Sequence, residues 1–420
     1  MIYMSVLGRN FLWGVSTSGH QIEGDNIFSD WYDWERAGGT INGDISGKAC
    51  DSLNHLERDV AALKEVNVNC YRFSVEWARI EPRQHRFERE VLNNYRTFAK
   101  RLVQEGIIPI VTLHSFVNPK WFADLDGWER EDNTGYFRRY VEVVADSLGD
   151  LVKIWITINK PDTYARKSYS LGIWPPSVQD SGRARRTLRN LLVAHSQAYR
   201  TIKSRIPKAI VSLTQETPSY RLTFKDRLRR NFSPHVLSSR EFYVFEGLCS
   251  GELKFTRSKI VLPEIKGTAD FVGLDYNSAA AMSDKETSME DPGSDLAQRG
   301  SQNAQYSKEL ETTIHKAAKG FRLPLFVTIE GTGILNDVER INCIETAVAV
   351  MNQAARRGIE IASFMYHPLM DCFEWNLGYS MQSGLFETNF ETLELNPRES
   401  ARKLEKIIKN HNRRYLLSAE

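Results

Sequence analysis

The chain has little cysteine. Its 420 residues contain 5 cysteines, Cys50, Cys70, Cys249, Cys343 and Cys372. They are odd in number, scattered, and form no CxxC pair. That argues against a disulfide framework or a structural zinc site and fits a reducing compartment. The 9 histidines contain no HxxxH pair, so no metal centre is expected. Long apolar runs are also missing. The opening MIYMSVLGRNFLWG lacks the apolar stretch of a secretory signal, and nothing is long enough to span a membrane. A soluble, cytoplasmic protein is the expectation. Excess charge of one sign is absent too: the net charge is +2 with both signs interspersed, which gives no footing for nucleic acid or a membrane surface. No Gly-rich phosphate fingerprint follows the first strand candidate, which weighs against a dinucleotide fold, and no cofactor is implied. Oligomeric state is not legible.

What is present is ordinary globular composition, 41% hydrophobic and 26% charged. The chain is rich in aromatics, with 9 Trp, 16 Tyr and 20 Phe. These suit core packing and a sugar-stacking cleft equally. Eight short apolar runs recur along the chain: Phe11–Ser16, Cys70–Val75, Ile107–Leu113, Ile154–Ile158, Ala209–Thr214, Asp270–Leu274, Pro324–Ile329 and Ile361–Tyr366. Runs that are apolar on both faces mark strands of a parallel sheet. Each is followed by helical spacing, as in 56–66, 90–105, 134–147, 184–206, 235–250, 338–357 and 397–410. The alternation predicts an α/β fold, a single (β/α)8 TIM barrel over 1–420 with elaborated βα loops. The polar tract Ala279–Ser307 is expected to be a long loop within it.

In such a barrel the chemistry sits at the C-terminal ends of the strands. The end of the fourth strand is the most informative. KIWITINKPD, Lys153–Asp162, reads as a buried strand that must stop at Asn159-Lys160-Pro161, because proline cannot continue a ladder. Five segments at strand ends then occur in order: FLWGVSTSGHQIEG (Phe11–Gly24), YRFSVEWARIEP (Tyr71–Pro82), PIVTLHSFVNPKWF (Pro109–Phe122), WITINKP (Trp155–Pro161) and DCFEWNLGYSMQSGLFETNFETL (Asp371–Leu393). Together they resemble the family-1 glycoside hydrolases, the β-glucosidase and β-galactosidase family. The likeness covers nearly the whole chain and is weakest across Arg221–Arg322. It implies a sugar pocket at the barrel mouth and a retaining mechanism with two glutamates about 5–5.5 Å apart. One is an acid/base in an Asn-Glu-Pro motif after strand four. The other is a nucleophile in a Thr-Glu-Asn-Gly motif after strand seven.

The sequence departs from that pattern where bonds would be broken. Lys160 stands at the acid/base position. Its unperturbed pKa of about 10.4 makes it a poor proton donor near pH 7. It could serve as an electrostatic stabiliser, as a base if its pKa were depressed, or as a Schiff-base amine. After strand seven, an ungapped match of Pro324–Arg340 puts Ile329 at the nucleophile position and Glu330 at the asparagine that follows. A one-residue bulge would instead present Glu330. The ungapped match is preferred. Ser115, beside His114, replaces a family histidine. Asp275 replaces an asparagine, Asn277 a tyrosine that bonds the nucleophile, and His367 a platform tryptophan. Gln21, Arg72, Asn159, Glu374 and Trp375 match retained sugar-gripping or supporting residues, whereas Trp77 and Trp128 belong to the core or rim.

The resemblance therefore nominates Lys160, Glu330, Asp275 and His367 as a catalytic group, with Asp275 and Glu330 as a replacement carboxylate pair. It nominates Gln21, Arg72, His114, Ser115, Asn159, Asn277, Glu374 and Trp375 for binding a small glycoside or sugar-like ligand. Three functions fit. The preferred one is altered chemistry on a sugar-like ligand. The others are a retaining β-glycosidase using a bulged Glu330 on activated substrates, and a sugar-binding protein without catalysis.

Overall fold

The computed structural model of the chain describes residues 7–217, 237–238, 240–256, 258–277, 296–331, 334 and 336–417. Parallel strands β1 (Leu12–Ser16), β2 (Cys70–Ser74), β3 (Ile108–Thr112), β4 (Ile154–Ile156), β6 (Val272–Asn277), β7 (Leu325–Glu330) and β8 (Ile361–His367) build most of a barrel. The fifth strand, β5, comes in two pieces. Ile210–Ser212 pairs with β4, and Thr214–Thr217 pairs with β6. Because one continuous segment joins the two ends of the sheet, the order β5-β4-β3-β2-β1-β8-β7-β6-β5 closes on itself. The helices are α1 (Leu56–Glu65), α2 (Arg89–Gln104), α3 (Thr134–Leu148), α4 (Ser181–Arg205), α5 (Tyr243–Ser250), α6 (Leu296–Phe321), α7 (Asp337–Arg356) and α8 (Glu399–Leu417). This is the (β/α)8 TIM barrel expected from the alternation of runs. All eight strand candidates are strands.

One expectation needs correction. Part of the polar tract 279–307 is not loop, because helix α6 begins at Leu296. Residues 279–295 lie outside the described residues. Composition explains the error: the polar run hid the start of a helix in which Tyr306 and Leu310 are buried.

Strand alternation sorts the side chains into two sets. Cys70, Ile110, Ile154, Ile156, Phe271, Phe326 and Met365 form an apolar plug inside the barrel, with the Phe271 and Phe326 rings stacked 4.1 Å apart. A second, larger core lies between strands and helices and includes Val111, Trp155, Val211, Val327, Ile329 and Phe364. On β7, then, Leu325, Val327 and Ile329 go outward to the helices, while Phe326, Thr328 and Glu330 point into the barrel. The plug closes the N-terminal end. Above it the inward residues turn polar and face the C-terminal mouth.

Candidate active site

The ladder of β4 ends at Ile156, and the chain runs on to Asn159, whose N–H donates to the His114 carbonyl at 2.8 Å. Lys160 then adopts the left-handed conformation, φ 44° and ψ 62°. A non-glycine residue there costs about 1–3 kcal/mol. The surroundings impose it: the Lys160 N–H donates to Thr214 Oγ1 at 3.2 Å, and Pro161 opens a short helix, Pro161–Ala165. This turn throws the ammonium across the mouth, where Lys160 Nζ donates to Glu330 Oε1 at 2.9 Å. Each of the two side chains is only 10% exposed.

Glu330 reaches the mouth without a bulge at its own position. β7 stays in register with both neighbours there, Glu330 lying opposite Asn277 on β6 and His367 on β8. The one irregularity is at the base, between Leu325 and Phe326. The placement of Ile329 at the pocket is overturned: its side chain is fully buried in the helix layer, as two-residue alternation from Phe326 requires. Gly331 ends the strand because nothing larger fits. A Cβ there would stand 2.1 Å from Tyr366 Oη and 2.9 Å from the His367 carbonyl.

Asp275 does not form a free pair with Glu330. It is held by Arg72, whose Nη1 and Nη2 donate to its two oxygens at 2.9 and 3.3 Å. Arg72 also donates to Asn159 Oδ1 at 2.6 Å and to Thr328 Oγ1 at 3.3 Å. Burial would raise the Asp275 pKa, but Arg72 and Lys160 outweigh it and hold the carboxyl below the ordinary range. For Lys160, burial acts to lower the pKa, yet Glu330, Asp275 and Glu216 more than offset it, and the ammonium is held above the ordinary lysine value. A base or Schiff-base amine needs the opposite shift. Of the three roles open to Lys160, electrostatic stabilisation is the one this setting favours.

Glu216 was missed from the sequence. It lines the same pocket, accepting from Thr163 Oγ1 and from Asn277 Nδ2, each at 2.8 Å. Burial would raise its pKa, but Lys160, Lys167 and Arg166 bring it down to about 2. The sequence signal was weak: Ser212, Thr214 and Glu216 alternate along β5, but no motif marks them and the strand is broken at Leu213. The sign of its effect on stability follows from linkage. A depressed carboxylate stabilises the fold above its unfolded pKa, and that contribution is lost as pH falls from about 4.5 towards 2. Glu216→Gln is expected to lower stability at pH 7 and to flatten the loss of stability across that acid window. Urea unfolding at a series of pH values reads both.

The gripping residues converge. Gln21 Nε2 donates to the Phe373 carbonyl at 2.9 Å and to Glu374 Oε2 at 3.1 Å. Its Oε1 is buried and accepts no hydrogen bond, and the residue lines the pocket. Ser115 bonds Ser18 at 2.9 Å and accepts from Asn159 Nδ2 at 3.3 Å. His367 Nδ1 lies 3.1 Å from Ser16 Oγ and 3.2 Å from the Ser16 carbonyl. The carbonyl only accepts, so that contact is a hydrogen bond when Nδ1 carries the proton, whereas the Ser16 hydroxyl can serve either tautomer. Burial lowers the pKa of this ring. His114 is not part of the pocket: its Nε2 contacts Asn118 Oδ1 at 3.1 Å, and its ring packs on Trp128 and Tyr164 behind the barrel wall. His114 and Ser115 lie in the bend that follows β3, and only Ser115 lines the pocket.

Aromatic side chains wall the outer side. Phe116 lies 4.8 Å from Trp174 and 5.0 Å from Trp375 between ring centres. Lys167 sits 4.4 Å over the Trp174 ring, placed there by a π-helical turn, Arg166–Ser170. Lys167 and Trp174 had no strand-end motif to betray them, and Phe116 stood inside one without being nominated. The cavity they help enclose measures about 60 Å³. Among the described residues no group of three or more His, Cys, Asp or Glu is arranged to hold a metal ion, and no helix is long and apolar enough to cross a membrane.

The family profile described as Glycosyl hydrolase family 1 matches residues 4–413. The chain belongs to that family. It is 26% identical over 445 residues to β-glucosidase A of Acetivibrio thermocellus, spanning 96% of this chain and 98% of that one. It is also 26% identical to lactase/phlorizin hydrolase of Homo sapiens, spanning 98% of this chain but 24% of that longer protein. Among solved structures, a β-glycosidase from Pyrococcus horikoshii superposes with a TM-score of 0.83 at 27% identity, covering 97% of this chain and 96% of that one. A β-glucosidase from Thermotoga maritima gives 0.84 at 23% identity, a likeness of fold. Within this family fold the chain carries Asn159-Lys160-Pro161 at the end of strand four and Glu330 at the mouth-facing end of strand seven.

Proposed function

We propose that the chain binds a sugar-like ligand at the barrel mouth and does not carry out the double displacement typical of retaining glycosidases. The observation that supports this most is the Lys160–Glu330 contact of 2.9 Å. A retaining site needs a free carboxylate to attack and a carboxylic acid opposite to protonate the leaving oxygen. Here an ammonium occupies the acid's place and neutralises the carboxylate. Gln21, Asn159, Glu374 and Trp375 keep a polar, aromatic-backed surface that suits hydroxyls and the apolar face of a sugar ring.

The test is a pair of measurements on the full chain. With 4-nitrophenyl β-glucoside and β-galactoside, no burst and no turnover above background is expected, while calorimetry with a panel of monosaccharides is expected to show saturable binding. A nitrophenol burst abolished by Glu330→Gln would reinstate the retaining mechanism.

A second reading, altered chemistry, draws on Glu216, a carboxylate in the same pocket held deprotonated by its cationic neighbours. It calls for product formation from a glycoside that is lost in Glu216→Gln and kept in Lys160→Met.

A further inference from the structure

Lys160 and Lys167 both line the pocket, and their surroundings differ. Lys160 is tied to Glu330. Among the described residues, Lys167 Nζ makes no hydrogen bond and no ion pair, and it rests 4.4 Å over the Trp174 ring. That ring is fixed. Trp174 is buried, its Nε1 donates to Asn376 Oδ1 at 2.7 Å, and Phe116 and Trp375 pack on it at 4.8 and 5.8 Å between centres. The turn that carries the lysine is tied down as well. The Lys167 carbonyl accepts from the Ile173 N–H, and the Ser168 carbonyl from the Val178 N–H, each at 2.9 Å.

A half-buried ammonium with no carboxylate in contact loses hydration and gains little in return, which favours the neutral amine. Cationic neighbours push the same way. Lys167 faces Arg166 on its own turn, Lys160 at the end of β4, Glu216 on β5 and Glu374 beyond β8. Burial and the two cations outweigh the two carboxylates and bring the amine down to about 8. At pH 7.5 about a quarter of such an amine is neutral, against about 0.1% of an ordinary lysine. A neutral amine in a cleft attacks carbonyl carbon. The pocket limits what can be attacked. Its volume of about 60 Å³ holds roughly four to six waters at about 10–15 Å³ each, so the partner is small. Ser18, Ser115, Asn159 and Thr163 line it, which suits a hydroxylated chain better than a hydrocarbon one.

We propose, resting on the sugar-binding reading above, that Lys167 captures a short open-chain aldose by forming an imine with its aldehyde carbon. The Nζ lone pair adds to that carbon, and an N–H proton passes to the oxygen to give a carbinolamine. The C–O bond then breaks. The hydroxyl leaves as water with a proton from solvent, and the iminium nitrogen returns one proton to solvent. The net change is amine plus aldehyde to imine plus water, with nothing oxidised or reduced.

The experiment treats the full chain with glyceraldehyde and cyanoborohydride, which reduces an imine to a stable amine, and follows each lysine by peptide mass mapping. Lys167 is expected to be labelled at least about ten-fold faster than any other lysine, Lys160 included. Its rate is expected to rise with pH and level off above about 8, because only the neutral amine reacts. In Lys167→Arg, which keeps the positive charge over Trp174, the fast phase is expected to vanish. Labelling of Lys167 no faster than of the exposed lysines, or a rate still climbing at pH 10, overturns the proposal and leaves sugar binding untouched. Propionaldehyde, which has no hydroxyls, is expected to label Lys167 at least about ten-fold more slowly, relative to the exposed lysines, than glyceraldehyde does. Equal labelling by the two aldehydes overturns the aldose as ligand and counts against the sugar-binding reading itself.

Discussion

Lys160→Met and Glu330→Leu are each expected to lower stability by about 3–5 kcal/mol, while the double variant is expected to recover the share due to the Lys160–Glu330 pair but not the share lost at Asp275 and Glu216. Each single change leaves a charge buried without its partner. The double change removes both charges and replaces them with apolar groups of similar volume. The two singles should not be equal. Lys160 also faces Asp275 and Glu216, so its removal strands several carboxylates. Glu330→Leu leaves the ammonium two carboxylates to face. Lys160→Met is therefore the more costly, and in that variant Glu216 loses the first of its cationic neighbours, which raises its pKa. Urea unfolding of the four proteins gives the coupling between the two sites. Singles that cost no more than ordinary surface substitutions, about 0.5 kcal/mol, would mean the ion pair is not held in solution.

Glu374→Ala is expected to weaken sugar binding by about ten-fold to 150-fold, the loss of one charge-assisted hydrogen bond at 1.5–3 kcal/mol. The carboxylate lines the pocket beside Gln21, so the change also frees the Gln21 amide from the bond that orients it. Gln21→Ala removes the amide that orients Glu374, and a similar loss is expected. Calorimetry with whichever monosaccharide binds the parent most tightly reads the change. Unfolding curves separate a lost contact from a loosened fold. Undiminished affinity in both variants would place the ligand elsewhere in the mouth.

The barrel was legible because a parallel sheet buried on both faces writes itself as continuous apolar runs, and Ile154–Ile158 or Ile107–Leu113 could hardly be anything else. The facing of β7 was legible too, but in a different pattern from the one followed. Leu325, Val327 and Ile329 are aliphatic and alternate with Phe326, Thr328 and Glu330. That period alone puts Glu330 inside. Matching the segment to a family motif without gaps gave more weight to Gly331 and Asp337 than to the alternation of the strand itself. His114 went astray because it follows the strand, in a bend whose side-chain directions no simple period sets. Glu216 was hidden differently. It stands in a strand that resembles no motif, and its importance comes from Thr163, Lys160 and Asn277, which are 53, 56 and 61 positions away and meet it only once the barrel closes. Lys167 and Trp174 reach the pocket through a turn of unusual helix, which apolar spacing does not announce.

The left-handed turn at Lys160 has a consequence for how this mouth can change. Its backbone angles come from Thr214, from Pro161 and from the helix that follows, and none of these depends on which side chain position 160 carries. The fold thus supplies an aimed socket, and on the proposed reading the residue plugged into it sets what the mouth can do with its ligand. Saturation of this single codon would sample chemistries on a nearly constant scaffold, with glycine the exception: it would relax the turn and leave the socket empty.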